Sequence, residues 1–253
     1  LEFKEKVGPV IDNPLQANNV SDLSLPDIQN ECDYVFKAIP LILKKLEPHN
    51  IPLIGFSGAP FTVASYMIEG KSSPNLTTVK HWIGNNPNQL HELLEKLTLS
   101  IIDYLEEQIK AGVHALQLFD TWAGHLSYED FKTFIWPTLK KIVTSIRSKH
   151  DIPITVFCKH TMSYLDLLID TGANAISVDW QTNLEDIKNK VPSDMALQGN
   201  LDPYLLFSNP KELEKRVIEK LDTMKDRPGF IFNLGHGILP TTPIENVKLV
   251  VDL

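Results

Sequence analysis

The sequence has 253 residues, of which 43% are hydrophobic and 22% charged, and its formal net charge is −8. This is the composition of an ordinary soluble globular protein. No apolar run approaches the roughly 20 residues that a membrane-spanning helix needs. The negative net charge argues against a nucleic-acid-binding surface. Two cysteines provide neither a disulfide framework nor metal-ligand spacing and no signal peptide is visible, so we predict a cytoplasmic protein without membrane or nucleic-acid partners.

Six short apolar runs are predicted to form strands, because buried parallel strands appear in a sequence as short continuous apolar segments. Helical patterns follow them, and a strand followed by a helix six times over is typical of a parallel sheet. No linker or composition shift divides the chain, so we predict a single domain over residues 1–253. The six runs are Pro52–Phe56, Ala115–Phe119, Pro153–Phe157, Ala175–Asp179, Ala196–Asn200 and Gly229–Asn233.

The helices between these runs carry recognisable start and stop signals. An apolar stripe over Leu90–Lys110 predicts an amphipathic helix that Gly112 ends. Ser127 begins a capping box for a helix that Pro137 is expected to kink. Asn209, followed by proline, is the predicted N-cap of a further helix.

Polar residues follow every predicted strand. In a (β/α)₈ barrel all of these strand ends converge on one face, whereas in an open doubly wound sheet only those at the switch point meet. The sequence has no G-x-G-x-x-G after its first strand and no Walker A segment. We therefore predict an α/β fold of the (β/α)₈ TIM-barrel type, with about six of the eight βα units present in this chain.

Residues at three of these strand ends are candidates for chemistry. Thr62 is expected to cap a helix that carries Tyr66, whose hydroxyl can donate to a carboxylate, although packing alone also explains Tyr66. Asp120 is a candidate general base, an acceptor for ring N–H groups, or a cap of the following loop, and Thr121 is a candidate donor. His236 lies between two glycines, which favours contact with a ligand.

Metal binding is not predicted. The Cys158 thiol and the His160 imidazole are close in sequence, but no second cysteine lies nearby and no C-x-x-C pattern exists. A small buried residue explains Cys158 best. A Cys–His nucleophile pair remains open as an alternative.

Five segments resemble the uroporphyrinogen decarboxylase family, in that family's order. They span Pro52 to Val247, nearly the whole sequence, and the first of them is long and close to the family's signature. The segments are PLIGFSGAPFTVASYMIEG, ALQLFDTWAGHLS, SVDWQTNL, ALQGNLDP and FNLGHGILPTTPIENV.

This resemblance implies a homodimer without metal or organic cofactor, which removes four acetate carboxyls from uroporphyrinogen as CO₂ and forms coproporphyrinogen. It implies catalytic and substrate-binding roles for Tyr66, Thr121 and His236, with Asp120 and Phe56 as further substrate contacts. The alternatives are a zinc- and cobamide-dependent methyltransferase on the same barrel and a non-catalytic fragment.

Two features that the resemblance implies are absent from this sequence. One is an R-Q-A-G-R segment, and the other is an aspartate on an early strand that contacts the pyrrole N–H groups. The sequence contains three arginines, none near a predicted strand end. We therefore expect this chain to be N-terminally incomplete. We also expect it, as it stands, to decarboxylate poorly or not at all, because arginines are the residues that usually bind carboxylates through paired hydrogen bonds and the cleft would lack them.

Overall fold

A six-stranded parallel sheet forms the centre of the structure, a computed structural model that describes residues 2–4 and 8–253. An antiparallel hairpin, which the sequence analysis did not predict, precedes this sheet. The strands within the described residues are β1 (Glu2–Lys4) and β2 (Gly8–Val10) in the hairpin, then β3 (Ile54–Gly58), β4 (Ala115–Asp120), β5 (Ile154–Cys158), β6 (Ala175–Val178), β7 (Ala196–Leu201) and β8 (Phe230–Leu234).

Each strand of the parallel sheet pairs with the next strand along the chain. The order is β3-β4-β5-β6-β7-β8, and all of these pairings are parallel. Every strand lies within two residues of its predicted bounds. The prediction of consecutive parallel strands is therefore confirmed, and the chain contains six consecutive βα units of a TIM-barrel fold, with β3 and β8 at the edges of the sheet.

Helices pack against one face of this sheet. The described residues contain α1 (Ile28–Glu31), α2 (Asp33–Leu46), α3 (Pro60–Glu69), α4 (Thr77–Asn85), α5 (Pro87–Ala111), α6 (Tyr128–Asp130), α7 (Trp136–Lys149), α8 (Leu165–Asp170), α9 (Leu184–Ile187), α10 (Pro210–Met224) and α11 (Ile244–Asp252). The predicted caps are confirmed: the Ser127 side chain accepts from the backbone of Asp130, and the Asn209 side chain accepts from the backbone of Glu212. Gly112 ends α5 in the left-handed conformation, with φ 108°.

Successive side chains of a strand point to opposite faces of the sheet. One face of this sheet therefore carries the side chains of the hydrophobic core, and the other carries those of the candidate site. In β4, Leu116 and Leu118 are fully buried in the hydrophobic core beneath the helices. Gln117 and Phe119 lie on the other face, where Phe119 meets rings of the neighbouring strands β3 and β5 and Gln117 meets Gln198 of β7. We call this second face the inner face, because it would face the interior of a barrel.

The start of α3 and the turn before α7 test two of the predicted helix signals. Thr62 was expected to cap α3 and this was wrong, because α3 already begins at Pro60 with Ala59 at the N-cap position. The interruption expected at Pro137 is present as a π-helical turn, Phe131–Ile135, between α6 and α7. Proline lacks the N–H group that a continuous helix needs, which accounts for an irregular turn at this point.

The side chain of Gln108 in α5 forms two hydrogen bonds with the backbone of the edge strand β3. Its Oε1 accepts from the backbone N–H of Phe56 and its Nε2 donates to the Phe56 carbonyl, both at 3.0 Å. Replacing Gln108 by leucine should lower the free energy of unfolding by about 1–3 kcal/mol, because it leaves both backbone groups without their partner. Urea denaturation measures this, with Gln181→Leu at an exposed position as the control. Equal midpoints for the two variants would contradict this role of Gln108.

Candidate active site

A cleft of about 270 Å³ opens on the inner face, at the carboxyl ends of the strands. Because all strands of the sheet are parallel, the loops that follow them meet at this one end. Side chains of four strands and of the loop after β8 form the wall. The lining residues are Gln117, Phe119, Thr121, Phe157, Ser177, Asn233, Leu234, Gly235, His236 and Gly237.

A row of aromatic rings crosses the inner face. The ring centroids of Phe56 and Phe119 are 6.0 Å apart, and those of Phe119 and Phe157 are 5.9 Å apart. The row continues from Phe157 to His236 at 6.2 Å and from His236 to Trp180 at 5.6 Å. Phe56 is 61% exposed at the edge of the sheet, so its ring is available to a ligand. Neighbouring rings of the row are tilted or edge to face, with interplanar angles of 58° to 87°, and together they give the inner face an apolar surface, which we call the aromatic platform.

Thr121 and His236 lie on the wall of the same cleft, although they are far apart in sequence. The Nδ1 atom of His236 accepts a hydrogen bond from the backbone N–H of Gly237 at 2.8 Å. Burial and then the nearby charge of Lys159 lower the pKa of His236 below 6.5, so the imidazole is neutral at pH 7. With Nδ1 accepting, the proton is on Nε2, and His236 presents an N–H donor.

Tyr66 lies at the same end of the sheet, on α3. Its half-buried ring meets the ring of Trp122 edge to face, with centroids 6.0 Å apart. Trp122 directly follows Thr121, so the Tyr66 ring is one residue removed from the cleft wall rather than part of it. Its hydroxyl makes no hydrogen bond within the described part of the chain. Direct contact between Tyr66 and a ligand stays a prediction.

Asp120 does not line the cleft. Its side chain is fully buried on the helix side of β4, where Oδ1 accepts from the hydroxyl of Thr62 at 2.7 Å. The same hydroxyl accepts from the backbone N–H of Trp122 at 3.3 Å. Among the described residues, Oδ2 of Asp120 has no hydrogen-bond partner, and burial raises the pKa of this carboxyl to about 7. Asp120 thus contacts Thr62, where the sequence suggested a contact with substrate.

Two further residues at strand ends, Asp179 and Cys158, have surroundings that indicate a structural role. Both carboxylate oxygens of Asp179 accept hydrogen bonds, from the backbone of His160 and Thr161 and from Thr182. Cys158 is fully buried, as expected, and burial raises the pKa of its thiol well above 9.0. Among the described residues, no group of three or more His, Cys, Asp and Glu side chains is placed to hold a metal ion.

Sequence reasoning missed a polar cluster on the inner face. The Nε2 atom of Gln198 donates to Oε1 of Gln117 and to the hydroxyl of Ser177, both at 3.2 Å. The signal was available, because Gln117, Phe119 and Thr121 alternate along β4 and therefore share one face.

Comparison with a solved structure supports the fold. A methyltransferase from Methanosarcina mazei superposes with a TM-score of 0.79, covering 96% of this chain and 69% of that one, at 22% sequence identity. Identity this low concerns the fold alone. None of the helices in the described part of the chain is both long and apolar enough to cross a membrane.

Comparison with known sequences identifies the family. The family model described as Uroporphyrinogen decarboxylase (URO-D) matches residues 1–253. Curated proteins named uroporphyrinogen decarboxylase are 39% identical in Ruthia magnifica subsp. Calyptogena magnifica and 41% identical in Protochlamydia amoebophila. Each match covers 100% of this chain, and 74% and 68% of the respective relative. The family that the sequence motifs indicated is confirmed: the chain belongs to the uroporphyrinogen decarboxylase family.

Proposed function

We propose that the cleft on the inner face binds uroporphyrinogen and catalyses the loss of its four acetate carboxyls as CO₂, forming coproporphyrinogen. The chain is then a carboxy-lyase of porphyrin and heme biosynthesis. The observation that carries this proposal is the cleft itself: an aromatic platform flanked by the donors Thr121 and His236, in a chain whose whole length matches the family.

The chemistry needs little from the protein. Protonation of a pyrrole at the ring carbon next to the one that bears the acetate CH₂ spreads positive charge over the substituted carbon and the ring nitrogen, which makes the ring an electron sink: the electrons of the breaking bond can form a double bond between that carbon and CH₂. The C–C bond to the carboxylate then breaks, CO₂ leaves, and a second proton at CH₂ with loss of the ring proton gives the methyl group. Because the substrate supplies its own electron sink, the reaction is expected to need no cofactor. The protein must orient the carboxylate and favour the cationic ring.

Four of the five predicted site residues, all except Asp120, have a task in this scheme. The Nε2–H of His236 and the hydroxyl of Thr121 are hydrogen-bond donors for substrate carboxylates on the cleft wall. The hydroxyl of Tyr66 is a third donor at the rim, and Phe56 extends the platform under the macrocycle. A neutral His236 donates one hydrogen bond and adds no positive charge next to the pyrrole ring. A positive charge at that position would oppose protonation of the ring.

The alternatives make different predictions. The methyltransferase hypothesis is not favoured, since both the family model and the curated relatives carry the decarboxylase name. A non-catalytic fragment would keep the fold without turnover.

We further propose a single TIM-barrel domain that works as a cytoplasmic homodimer, without nucleic-acid partners. Size-exclusion chromatography with light scattering tests the dimer.

The decisive experiment is an anaerobic assay with uroporphyrinogen in which coproporphyrinogen and its intermediates are separated chromatographically. The assay uses residues 1–253 and the product of the whole reading frame that contains them. We expect decarboxylation by the whole product, with rates lowered roughly 10- to 100-fold in His236→Gln and Thr121→Val, because each loses a hydrogen bond to a charged group.

Tyr66→Phe tests the third donor, and Tyr128→Phe is its matched control. The Tyr128 hydroxyl donates to Asp166 on the outer surface, away from the cleft, so its removal should leave turnover unchanged. A whole product that folds but forms no coproporphyrinogen would overturn the proposed function. Equal rates for His236→Gln, Thr121→Val and the wild type would overturn the site.

A further inference from the structure

A substrate with eight carboxylates needs cations, yet the arginines of this chain are engaged elsewhere. Arg147 and Arg227 donate to backbone carbonyls on the outer side of the molecule. Arg216 lies 3.7 Å from Glu219 on the exposed side of α10. None of the three lines the cleft. A net charge of −8 also opposes the approach of a polyanion.

One lysine lies beside the cleft, next to the end of the aromatic row, although it is not part of the cleft wall. Lys159 directly follows β5 and is half-buried, and its Nζ lies 5.9 Å from the centre of the Trp180 ring. The same indole meets the His236 ring at 5.6 Å, so Lys159 and His236 flank one side chain at the end of the aromatic row. Within the described residues, the Lys159 ammonium makes no hydrogen bond and no ion pair.

The carboxylate that acts electrostatically on Lys159, that of Asp179, already has its own hydrogen-bond partners. Asp179 is fully buried, and both of its oxygens already accept hydrogen bonds from three backbone N–H groups and a hydroxyl. Several other lysines are paired, as Lys141 is with Glu95 and Lys149 with Glu106. An unpaired, partly desolvated ammonium attracts an incoming anion more strongly than a fully hydrated one.

We propose that Lys159 binds a side-chain carboxylate of the porphyrinogen, at the end of the cleft formed by β5, β6 and the loop after β8. The inference rests on the proposed function, since that function supplies the carboxylates. Gly124 supports the placement: a Cβ atom there would lie 2.6 Å from the Lys159 carbonyl oxygen, so the loop after β4 packs directly on the Lys159 backbone. Trp180 supports the lysine from the other side by its cation–π contact.

The test compares Lys159→Met, which removes the charge at similar length, with Lys159→Arg, which keeps it. Both are made in the product of the whole reading frame. Measured are KM and kcat for uroporphyrinogen and the Kd for uroporphyrin, the oxidised form with the same carboxylates, by fluorescence. We expect Lys159→Met to raise KM and Kd roughly tenfold or more, and Lys159→Arg to recover most of the loss. The Kd of Lys159→Met should also depend less on salt.

Lys141→Met is the matched control, because it removes a lysine that pairs with Glu95 on the outer helices. It should leave KM and Kd unchanged. A folded Lys159→Met variant with wild-type KM and Kd would overturn the proposal. So would equal losses in the methionine and arginine variants, which would assign Lys159 to packing. Porphyrin binding is measured without turnover, so a wild type that binds uroporphyrin but does not decarboxylate contradicts the proposed function and still tests Lys159.

Discussion

Replacing Gly235 by alanine is expected to lower kcat/KM roughly 100-fold, whereas the same substitution at Gly237 should leave it close to the wild-type value. The two glycines flank His236, but their surroundings differ. A Cβ atom at Gly235 would lie 2.3 Å from the backbone nitrogen of Trp180 and 2.6 Å from its Cα. At Gly237 nothing lies within 4 Å of the added atom. Because backbone cannot yield as a flexible side chain can, the Gly235 variant must displace the loop that carries His236.

This displacement has two consequences that can be measured. It moves His236 away from the cleft wall, and it moves Trp180, which supports both His236 and Lys159. We therefore expect Gly235→Ala to raise the Kd for uroporphyrin together with its loss in kcat/KM. Urea denaturation shows whether the fold survives. Gly237→Ala controls for the loss of a glycine beside His236. If Gly235→Ala keeps wild-type kinetics, the close approach to Trp180 does not position His236.

The strands were the most predictable feature of the chain. A buried parallel strand is enclosed on both faces, so its sequence is a short apolar run that stands out between amphipathic helices. The pattern located β5 and β8 to within one residue at either end. The hairpin of β1 and β2 was missed because each strand has only three residues, too few for any periodicity to appear.

The site was partly predictable. That polar residues beyond strand ends would meet followed from the parallel order, and Thr121 and His236 do share a cleft wall. The composition of the strand end did not show which of two adjacent polar residues points to the inner face. Asp120 and Thr121 are adjacent, and alternation along β4 sends Asp120 towards the helices and Thr121 to the inner face. The aromatic row was beyond prediction, since it depends on the register of five separate segments.

Asp120 makes stability depend on pH. Its carboxyl ionises at about pH 7 in the folded chain, because burial opposes the charge, and at about 3.8 when exposed. Between these values the native state holds a proton that the unfolded state has lost, so the free energy of unfolding falls as the pH rises. The full difference corresponds to on the order of 4 kcal/mol, at 1.36 kcal/mol for each unit of pKa.

Asp120→Asn is therefore expected to flatten the decline in the urea midpoint between about pH 4 and about pH 8, although the amide adds a buried donor that lowers stability at every pH. Thr62→Val should extend the decline to higher pH, because the Thr62 hydroxyl stabilises the ionised carboxyl and its loss raises the folded-state pKa further. Asp170→Asn, at a surface carboxyl paired with Lys140, is the control and should keep the decline. A decline of equal size in Asp120→Asn and in the wild type would show that another group is responsible.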